Sequence, residues 1–229
     1  MTTVCKEETE CSICNKKSSH ELIMSTNEFG YPDLDTRPPE MRRSTMVYWV
    51  QECPYCGYCN ENIGYANKEY PELIKTESYR DQLKNKDYPQ LANRFLCNSF
   101  LTERDRSYKE SGLQSLYAAW ACDDSPEHSE MAIKCRERAY DLFQLAKSNG
   151  ENILNNDLED GVILVELLRR MKRFDEGLEK CIKEISKNSN GILKKILEYE
   201  KLLIENKDSN CHNVREIPLN KLALSFNKD

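Results

Sequence analysis

The chain has 229 residues, of which 39% are hydrophobic and 31% are charged, and its formal net charge is −6. This charge disfavours non-specific binding to nucleic acid or to an anionic membrane surface. No run of about 18 apolar residues is present, so we expect no transmembrane helix. Only 8 Gly and 8 Pro argue against a loop-rich or all-β fold, and the abundance of Glu, Lys and Leu favours helices.

The eleven cysteines indicate a reducing compartment rather than a disulfide framework. Their number is odd, and residues 1–10 are polar and lack the apolar core of a secretory signal peptide. We therefore expect a cytoplasmic protein whose first ten residues are frayed. Some cysteines would bind a metal ion, and the others would be small buried hydrophobic residues. The second group comprises Cys97, Cys122, Cys135 and Cys181, which lie in helical patterns.

The N-terminal quarter of the chain has the layout of a small β zinc ribbon over residues 1–64. Residues 20–26 have β-prone character and follow a first Cys-x-x-Cys pair. An extended loop rich in Pro and Asp is expected over residues 27–41. Residues 44–51 (STMVYWVQ) are rich in β-branched and aromatic side chains, predict a strand, and run into a second Cys-x-x-Cys pair.

The two cysteine pairs predict one tetrahedral metal site. Thiolates are soft ligands, and four of them suit Zn²⁺. A closed four-thiolate site leaves no open position for water, so it would be structural rather than catalytic. Pro54 would stiffen the second turn, and Gly57 would tolerate the positive φ of the bend. The predicted ligands are Cys11, Cys14, Cys53 and Cys56.

The exact ligand set is open at this point, because Cys59, Cys5 and His20 are further candidates to join or replace a ligand. Cys59 also makes the second pair look like the start of a ferredoxin run. That run requires a fourth cysteine followed by proline, whereas Ile and Gly stand at positions 63 and 64. This difference argues against an iron–sulfur cluster.

Helical periodicity takes over beyond residue 60, which predicts an antiparallel α-helical domain over residues 65–229 and makes the whole chain mainly α. One apolar face recurs at helical spacing through Leu113, Leu116, Tyr117 and Trp120. Residues 214–224 are expected to dock on the last helix. The expected helices span residues 70–86, 88–107, 107–122, 126–148, 157–171, 174–186 and 191–206.

The segment 157–186 predicts a close helical hairpin, because only a short turn joins its two helices. Gly177 would let the first helix approach the second closely. The spacing is similar to a tetratricopeptide unit of about 34 residues. The match is partial, because Gly161 stands where that repeat often has Trp and Gly177 where it usually has Ala.

Three stretches together resemble a bacterial family of unknown function, whose members join an N-terminal zinc ribbon to a helical, tetratricopeptide-like region. The stretches are Cys11-x-x-Cys14, the loop 32–39 (PDLDTRPP) and the segment 48–58 (YWVQECPYCGY). The resemblance is specific over about the first 60 residues and architectural beyond them. It implies Zn²⁺ on the same four cysteines, and it implies no activity.

We expect a scaffold or adaptor rather than an enzyme, because no Ser/His/Asp arrangement or phosphate loop stands out. A protein or peptide partner would bind the helical domain. One alternative is nucleic-acid binding through ribbon aromatics, although residues 1–60 carry six Lys+Arg against nine Asp+Glu, a net charge of −3. The other is a thiol-based redox sensor around an exposed Cys59. The ribbon aromatics considered for nucleic-acid binding are Tyr48, Trp49, Tyr55 and Tyr58.

The loop 32–43 carries several charges whose role has two interpretations. They could form a polar recognition surface, in which the planar Arg37 guanidinium holds a carboxylate or phosphate. Alternatively, they pair with one another and pin the loop over the ribbon, as most surface charges have a structural role or none. The residues concerned are Asp33, Asp35, Arg37, Arg42 and Arg43.

Overall fold

The computed structural model describes residues 1–187 and 191–218. It is 54% helical, with small antiparallel strand pairs near the N-terminus followed by helices, which confirms the mainly α fold class. Within the described chain, no helix has the length and apolar character needed to cross a membrane.

The chain divides into two compact units. The first comprises Met1–Phe29 and Glu40–Glu151, and the second joins Gly30–Pro39 to the chain from Asn152 onward. The strands and five of the helices therefore share one unit. This division does not follow the boundary between residues 64 and 65, which stays a prediction about independently folding domains.

The strands of the first unit form three antiparallel pairs. Strand β1 (Thr3–Glu10) pairs with β2 (Lys17–Ser25), β3 (Glu28–Phe29) with β4 (Glu40–Met41), and β5 (Gln51–Glu52) with β6 (Cys59–Asn60). The prediction of a frayed N-terminus is wrong, because each residue of β1 has a partner in β2. Its side chains are polar on both faces, so the apolar alternation that identifies a strand is missing. The β-prone segment 20–26 falls mostly within β2, as expected.

The predicted strand over residues 44–51 is wrong for most of its length. Arg43–Tyr48 forms a 3-10 helix. The Thr45 hydroxyl donates to the Arg42 carbonyl at 2.7 Å, and Trp49 Nε1 donates to the Thr45 hydroxyl oxygen at 3.0 Å. These local bonds give the backbone an alternative to a strand ladder, which outweighs the β propensity of the side chains.

Five helices complete the first unit, and the last three pack against one another. They are α1 (Tyr70–Leu73), α2 (Glu77–Leu83), α3 (Gln90–Arg104), α4 (Tyr108–Asp123) and α5 (Ser129–Ser148). The helix expected over 70–86 is interrupted at Thr76. The Thr76 hydroxyl oxygen accepts a hydrogen bond from the Tyr79 amide, so Thr76 caps the N-terminus of α2.

The four cysteines expected in the core are buried in the two units. Cys97, Cys122, Cys135 and Cys181 are each at most 1% exposed.

The second unit contains α6 (Asp157–Arg170), α7 (Phe174–Lys187) and α8 (Ile192–Glu205), followed by the 3-10 helix Val214–Glu216. A Cβ at Gly177 would lie 3.5 Å from the Leu168 Cβ, which confirms the expected close approach of α6. Ile217 packs with Leu203 of α8, as expected for the C-terminal segment. Residues 219–224 of that prediction lie outside the described part of the chain.

Residues 30–39 complete this unit. Leu34 packs with Leu203 and Ile217, and its amide donates to the His212 carbonyl at 2.9 Å. The Val214 amide donates to the Pro32 carbonyl at 3.0 Å. The connection between the predicted ribbon strands is thus part of the core of the second unit.

Buried charged side chains lie between α6 and α8. Arg169 is fully buried, and its Nε donates to Glu166 Oε2 at 2.9 Å and to Glu200 Oε2 at 2.8 Å. Its Nη1 donates to the carbonyls of Asp208 and Asn210 at 2.7 and 2.9 Å. One guanidinium therefore joins both helices to the segment that follows α8.

Burial, followed by the nearby charge of Glu166, raises the pKa of Glu200 well above its ordinary value of 4.5, while Arg169 lowers it by less. The two carboxylates flank one arginine side chain, and Arg170 Nη1 lies farther away, 3.9 Å from Glu166 Oε1. Retaining the Glu200 proton therefore reduces the negative charge of the buried cluster formed by Glu166, Arg169 and Glu200.

We expect Glu200→Gln to become more stable relative to the wild type as the pH rises above about 4.5. The folded wild type binds the Glu200 proton more tightly than the unfolded chain does, so its free energy of unfolding falls as the pH rises towards the folded-state pKa. The difference should grow by up to about 1.4 kcal/mol per pH unit. Urea unfolding of both proteins between pH 4.5 and pH 8 measures it. A difference independent of pH would contradict a raised pKa.

Candidate metal centre

Two turns of the same backbone form hold the four predicted ligands. The first lies between β1 and β2, and the second between β5 and β6. In the first, the Cys11 amide donates to the Lys16 carbonyl at 3.0 Å, and the Asn15 amide donates to the Cys11 carbonyl at 2.8 Å. In the second, the equivalent bonds join Cys53 to Tyr58 and Gly57 to Cys53, both at 2.8 Å.

The residue after the second cysteine adopts a positive φ in both turns, 56° at Asn15 and 73° at Gly57. The expectation for Gly57 is confirmed. Sequence reasoning missed the corresponding role of Asn15, although Asn is one of the few non-glycine residues that enter the left-handed region readily. The pattern Cys-x-x-Cys followed by Gly or Asn is the signal that could have revealed it.

The four cysteine sulfurs converge on one point. Cys11 Sγ lies 3.7 Å from Cys56 Sγ, and Cys14 Sγ lies 3.6 Å from Cys53 Sγ. All four sulfurs lie within 4.8 Å of one another, and among the described residues they form a group that could hold a metal ion. In a tetrahedral zinc site with Zn–S bonds of about 2.3 Å, the sulfurs are about 3.8 Å apart. The sulfur spacing therefore suits a tetrahedral ion of this size.

Backbone N–H groups in each turn point at a cysteine sulfur. Burial raises the pKa of the Cys53 thiol, but hydrogen bonds from the amides of Cys56 and Tyr55 and from the thiols of Cys56 and Cys14 together outweigh it, so that the pKa lies below its ordinary value. At Cys11 burial outweighs the corresponding amides of Cys14 and Ile13, and the pKa is raised. Such N–H groups stabilise a thiolate, which is the form that binds a metal.

Helix α2 holds the second turn from outside. Tyr79 donates its hydroxyl to the Gly57 carbonyl at 3.1 Å, and Arg80 Nη1 donates to the Cys56 carbonyl at 2.8 Å. A Cβ at Gly57 would lie 2.6 Å from Leu83 Cδ2. Glycine is therefore favoured here by its φ, and a Cβ would also require the Leu83 side chain to move. Sequence reasoning missed this contact with α2.

The other candidate ligands do not join this group of sulfurs. Cys59 is fully buried, and burial followed by its hydrogen bond with Cys97 raises its pKa well above the ordinary value. Its amide donates to the Tyr79 hydroxyl oxygen at 3.0 Å. His20 Nε2 bonds the Ser18 hydroxyl at 2.8 Å, and Cys5 lies within β1 opposite Leu22.

Most of the aromatic side chains considered for base stacking are packed within the first unit. Tyr58 is fully buried, and Asn60 Nδ2 donates to its hydroxyl oxygen at 2.7 Å. Trp49 packs edge-on against Tyr117 at a ring-centroid distance of 5.3 Å. Of the four aromatics, Tyr55 alone is exposed, and the Lys16 ammonium lies over its ring, 4.8 Å from the centroid.

The interpretation of residues 32–43 as a polar recognition surface is wrong for the first three charged residues. Asp33, Asp35 and Arg37 are 6%, 1% and 6% exposed. They belong to the second compact unit, where Asp35 Oδ2 lies 3.7 Å from Arg170 Nη1. The alternative, in which these charges pin the loop over the ribbon, does not describe these three residues either. Residues 30–39 dock on the second unit, because Leu34 contributes apolar surface to the core of that unit.

Comparison of the chain with protein-family models, with curated proteins and with solved structures found no match.

We expect one zinc ion per chain, lost on Cys53→Ser or Cys56→Ser and retained on the matched change Cys59→Ser. The first two changes remove a thiolate from the group of four, whereas Cys59 lies outside it. Elemental analysis of each purified protein measures the metal content. Loss of zinc from Cys59→Ser, or iron in place of zinc, would contradict this ligand set.

We expect Gly57→Ala to destabilise the zinc-loaded protein by roughly 1–3 kcal/mol more than Gly150→Ala does. Both glycines have a positive φ, 73° and 79°, so the cost of the backbone conformation is common to both changes. Nothing lies within 4 Å of a Cβ at Gly150, whereas at Gly57 it meets α2. Denaturant unfolding of the three proteins measures the difference, and equal losses would show that α2 gives way at no cost.

Proposed function

We propose that this protein is a zinc-binding adaptor that acts through protein–protein contacts and whose zinc site is structural. The convergence of four cysteine sulfurs at tetrahedral spacing carries the metal part of this proposal. Thiolates favour Zn²⁺ over hard cations such as Mg²⁺ and Ca²⁺. Four protein ligands fill the coordination sphere of the ion, so no position is left for a reacting water.

The contribution of such a site is to folding. A two-stranded hairpin is marginally stable by itself in water, and β5 and β6 have two residues each. A metal bound by one pair of cysteines from each turn would link the two hairpins, and its binding free energy would add to the free energy of folding.

The adaptor part of the proposal assigns the partner to the helical hairpin of α6 and α7. All residues of α6 from Asp160 to Arg170 are buried, so α7 supplies the exposed side of the hairpin. Its exposed face carries one large hydrophobic residue, Ile182, which is 51% exposed. An exposed isoleucine is a suitable contact for an apolar side chain of a protein or peptide.

The compartment and the family belong to the same proposal. All eleven cysteines lie in the described part of the chain, and each is a free thiol. Thiolate ligands and buried thiols persist best in a reducing environment, which supports the cytoplasm. We also keep the bacterial zinc-ribbon family of unknown function as the family that the chain resembles, because its four cysteines are the ones that converge here.

The two alternative functions have less support. A redox sensor around Cys59 needs an accessible thiolate, whereas this side chain is buried and its pKa is raised. Nucleic-acid binding would use aromatic rings and clustered positive charge, whereas Tyr58 and Trp49 pack internally.

The experiment is affinity capture from a native lysate of the source organism on the full-length, zinc-loaded protein, compared with Ile182→Asp and Ile192→Asp. The two isoleucines are 51% and 52% exposed, but only Ile182 lies on α7. We expect a protein that is enriched roughly tenfold or more on the wild type and on Ile192→Asp relative to Ile182→Asp, because one apolar side chain buried at an interface contributes about 1.5–3 kcal/mol.

All three proteins must have the same zinc content and the same circular dichroism, so that lost capture is not lost folding. Identical eluates from folded wild type and Ile182→Asp would contradict the proposed contact. The absence of any enriched protein from all three would contradict the adaptor function itself.

A further inference from the structure

A cleft of about 530 Å³ lies on the helical part of the first unit, outside the group of four cysteines. Its walls come from α1 to α5 and from the turn between α3 and α4. Pockets of about 300–1,000 Å³ are the size that binds small organic ligands. The cleft is therefore large enough for a small ligand with an apolar body.

The lining of the cleft includes three arginines, Arg104, Arg106 and Arg138, and one carboxylate, Glu103. Arg138 is held in place, because its Nε donates to the Ser99 hydroxyl oxygen at 3.2 Å, its Nη2 pairs with Glu103, and its guanidinium lies 4.7 Å from the centroid of the Phe100 ring. Arg104 pairs with Glu69. The lining thus has a positive excess in a chain whose net charge is −6.

Arg106 is the cation of this group with unused binding capacity. It is exposed, and within the described chain no carboxylate pairs with its guanidinium. Four hydroxyl-bearing side chains also line the cleft: Thr76, Ser78, Tyr79 and Tyr108. Guanidinium and hydroxyl groups together supply the fork-shaped and single donors that bind the three oxygens of a phosphate monoester.

The lining of the cleft also includes apolar residues. Leu145 is 44% exposed on α5 although it is a large hydrophobic residue, and Leu73 and Phe100 also line the cleft. An inorganic anion would leave these apolar side chains in contact with water. A ligand with an aromatic or aliphatic body would cover them and gain the free energy of burying apolar surface.

We propose that this cleft binds an organic phosphate monoester, with the phosphate on Arg106 and Arg138 and an aromatic or apolar body against Phe100 and Leu145. The site is separate from the metal centre and from the contact proposed on α7, and it does not depend on the adaptor function. The phosphate can belong to a free small molecule or to a phosphorylated side chain of a protein, because both present the same group.

The test is a ¹H–¹⁵N NMR titration of the full-length, zinc-loaded protein with phenyl phosphate. Inorganic phosphate and benzyl alcohol serve as probes for the anion alone and for the ring alone. We expect saturable shifts at the amides of Phe100, Arg106 and Leu145 with phenyl phosphate, and at least tenfold weaker binding of the other two probes. A phosphotyrosyl pentapeptide that binds tenfold more tightly than phenyl phosphate identifies a protein side chain as the source, whereas equal affinity identifies a free small molecule.

Three variants assign the binding to the cleft. Arg106→Ala should weaken phenyl phosphate binding about tenfold or more, since a hydrogen bond to a charged group contributes about 1.5–3 kcal/mol. Leu145→Asp should abolish it by placing a carboxylate in the cleft at a position that the apolar body of the ligand would cover. Arg215→Ala is the matched control, because Arg215 is also exposed but lies outside the cleft, and it should bind as the wild type does.

Two results would overturn the proposal. One is equal affinity for inorganic phosphate and phenyl phosphate, with shifts spread over surface arginines outside the cleft. The other is the same affinity for phenyl phosphate in Arg106→Ala and Arg215→Ala. Spectra of each unliganded variant that overlay on the wild type away from the substitution confirm that the variants are folded, so either result bears on binding and not on stability.

Discussion

The convergence of four cysteine sulfurs is the constraint on which the N-terminal part of the structure depends. Four sulfurs within 4.8 Å of one another cannot all be thiolates unless a cation compensates their charge, because like charges at that distance repel strongly. A shared metal ion would turn this repulsion into attraction and would join two hairpins that have little apolar surface to bury. The amide of Ser12, in the first turn, also donates to the carbonyl of Ile63 beyond β6, at 3.0 Å. The backbone thus supports the same alignment that the sulfurs require.

The centre is coupled to the helices of its own unit through backbone carbonyls rather than through further ligands. Tyr79 of α2 contacts the second turn on both sides, since its hydroxyl accepts from the Cys59 amide and donates to the Gly57 carbonyl. Burial raises the pKa of Tyr79 far above its ordinary value, so the hydroxyl keeps the proton that this bond needs. Such contacts orient the peptide groups around a metal without touching it, as outer-shell partners of metal sites commonly do. Cys59, although near in sequence, is a buried residue outside the group of four sulfurs.

The second unit is organised by buried charge as much as by apolar packing. Its apolar core of Val165, Cys181, Leu197 and Ile204 lies beside a cluster in which Arg169 joins α6, α8 and the segment after α8. An uncompensated buried carboxylate costs several kcal/mol, so Glu166 and Glu200 require both the guanidinium and the retained proton. The two proposed binding regions differ accordingly. The contact on α7 is an exposed apolar residue on a helix whose other face is packed, whereas the cleft in the first unit combines two ion-paired arginines and the exposed Arg106 with apolar lining residues.

Local periodicity and ligand spacing were enough to predict the mainly α class, most helices, the buried cysteines and the four converging thiols. They did not reveal β1, whose strand character comes only from pairing with β2, or the 3-10 helix at Arg43–Tyr48, where hydrogen bonds of Thr45 outweigh β propensity. Long-range packing buries Cys59 beside Tyr79 and Cys97, and it places Asp33, Asp35 and Arg37 inside the second unit. Both outcomes depend on which residues, distant in sequence, supply the neighbouring surface. A pattern along the chain contains no information about that choice, because burial and charge pairing are properties of the assembled fold.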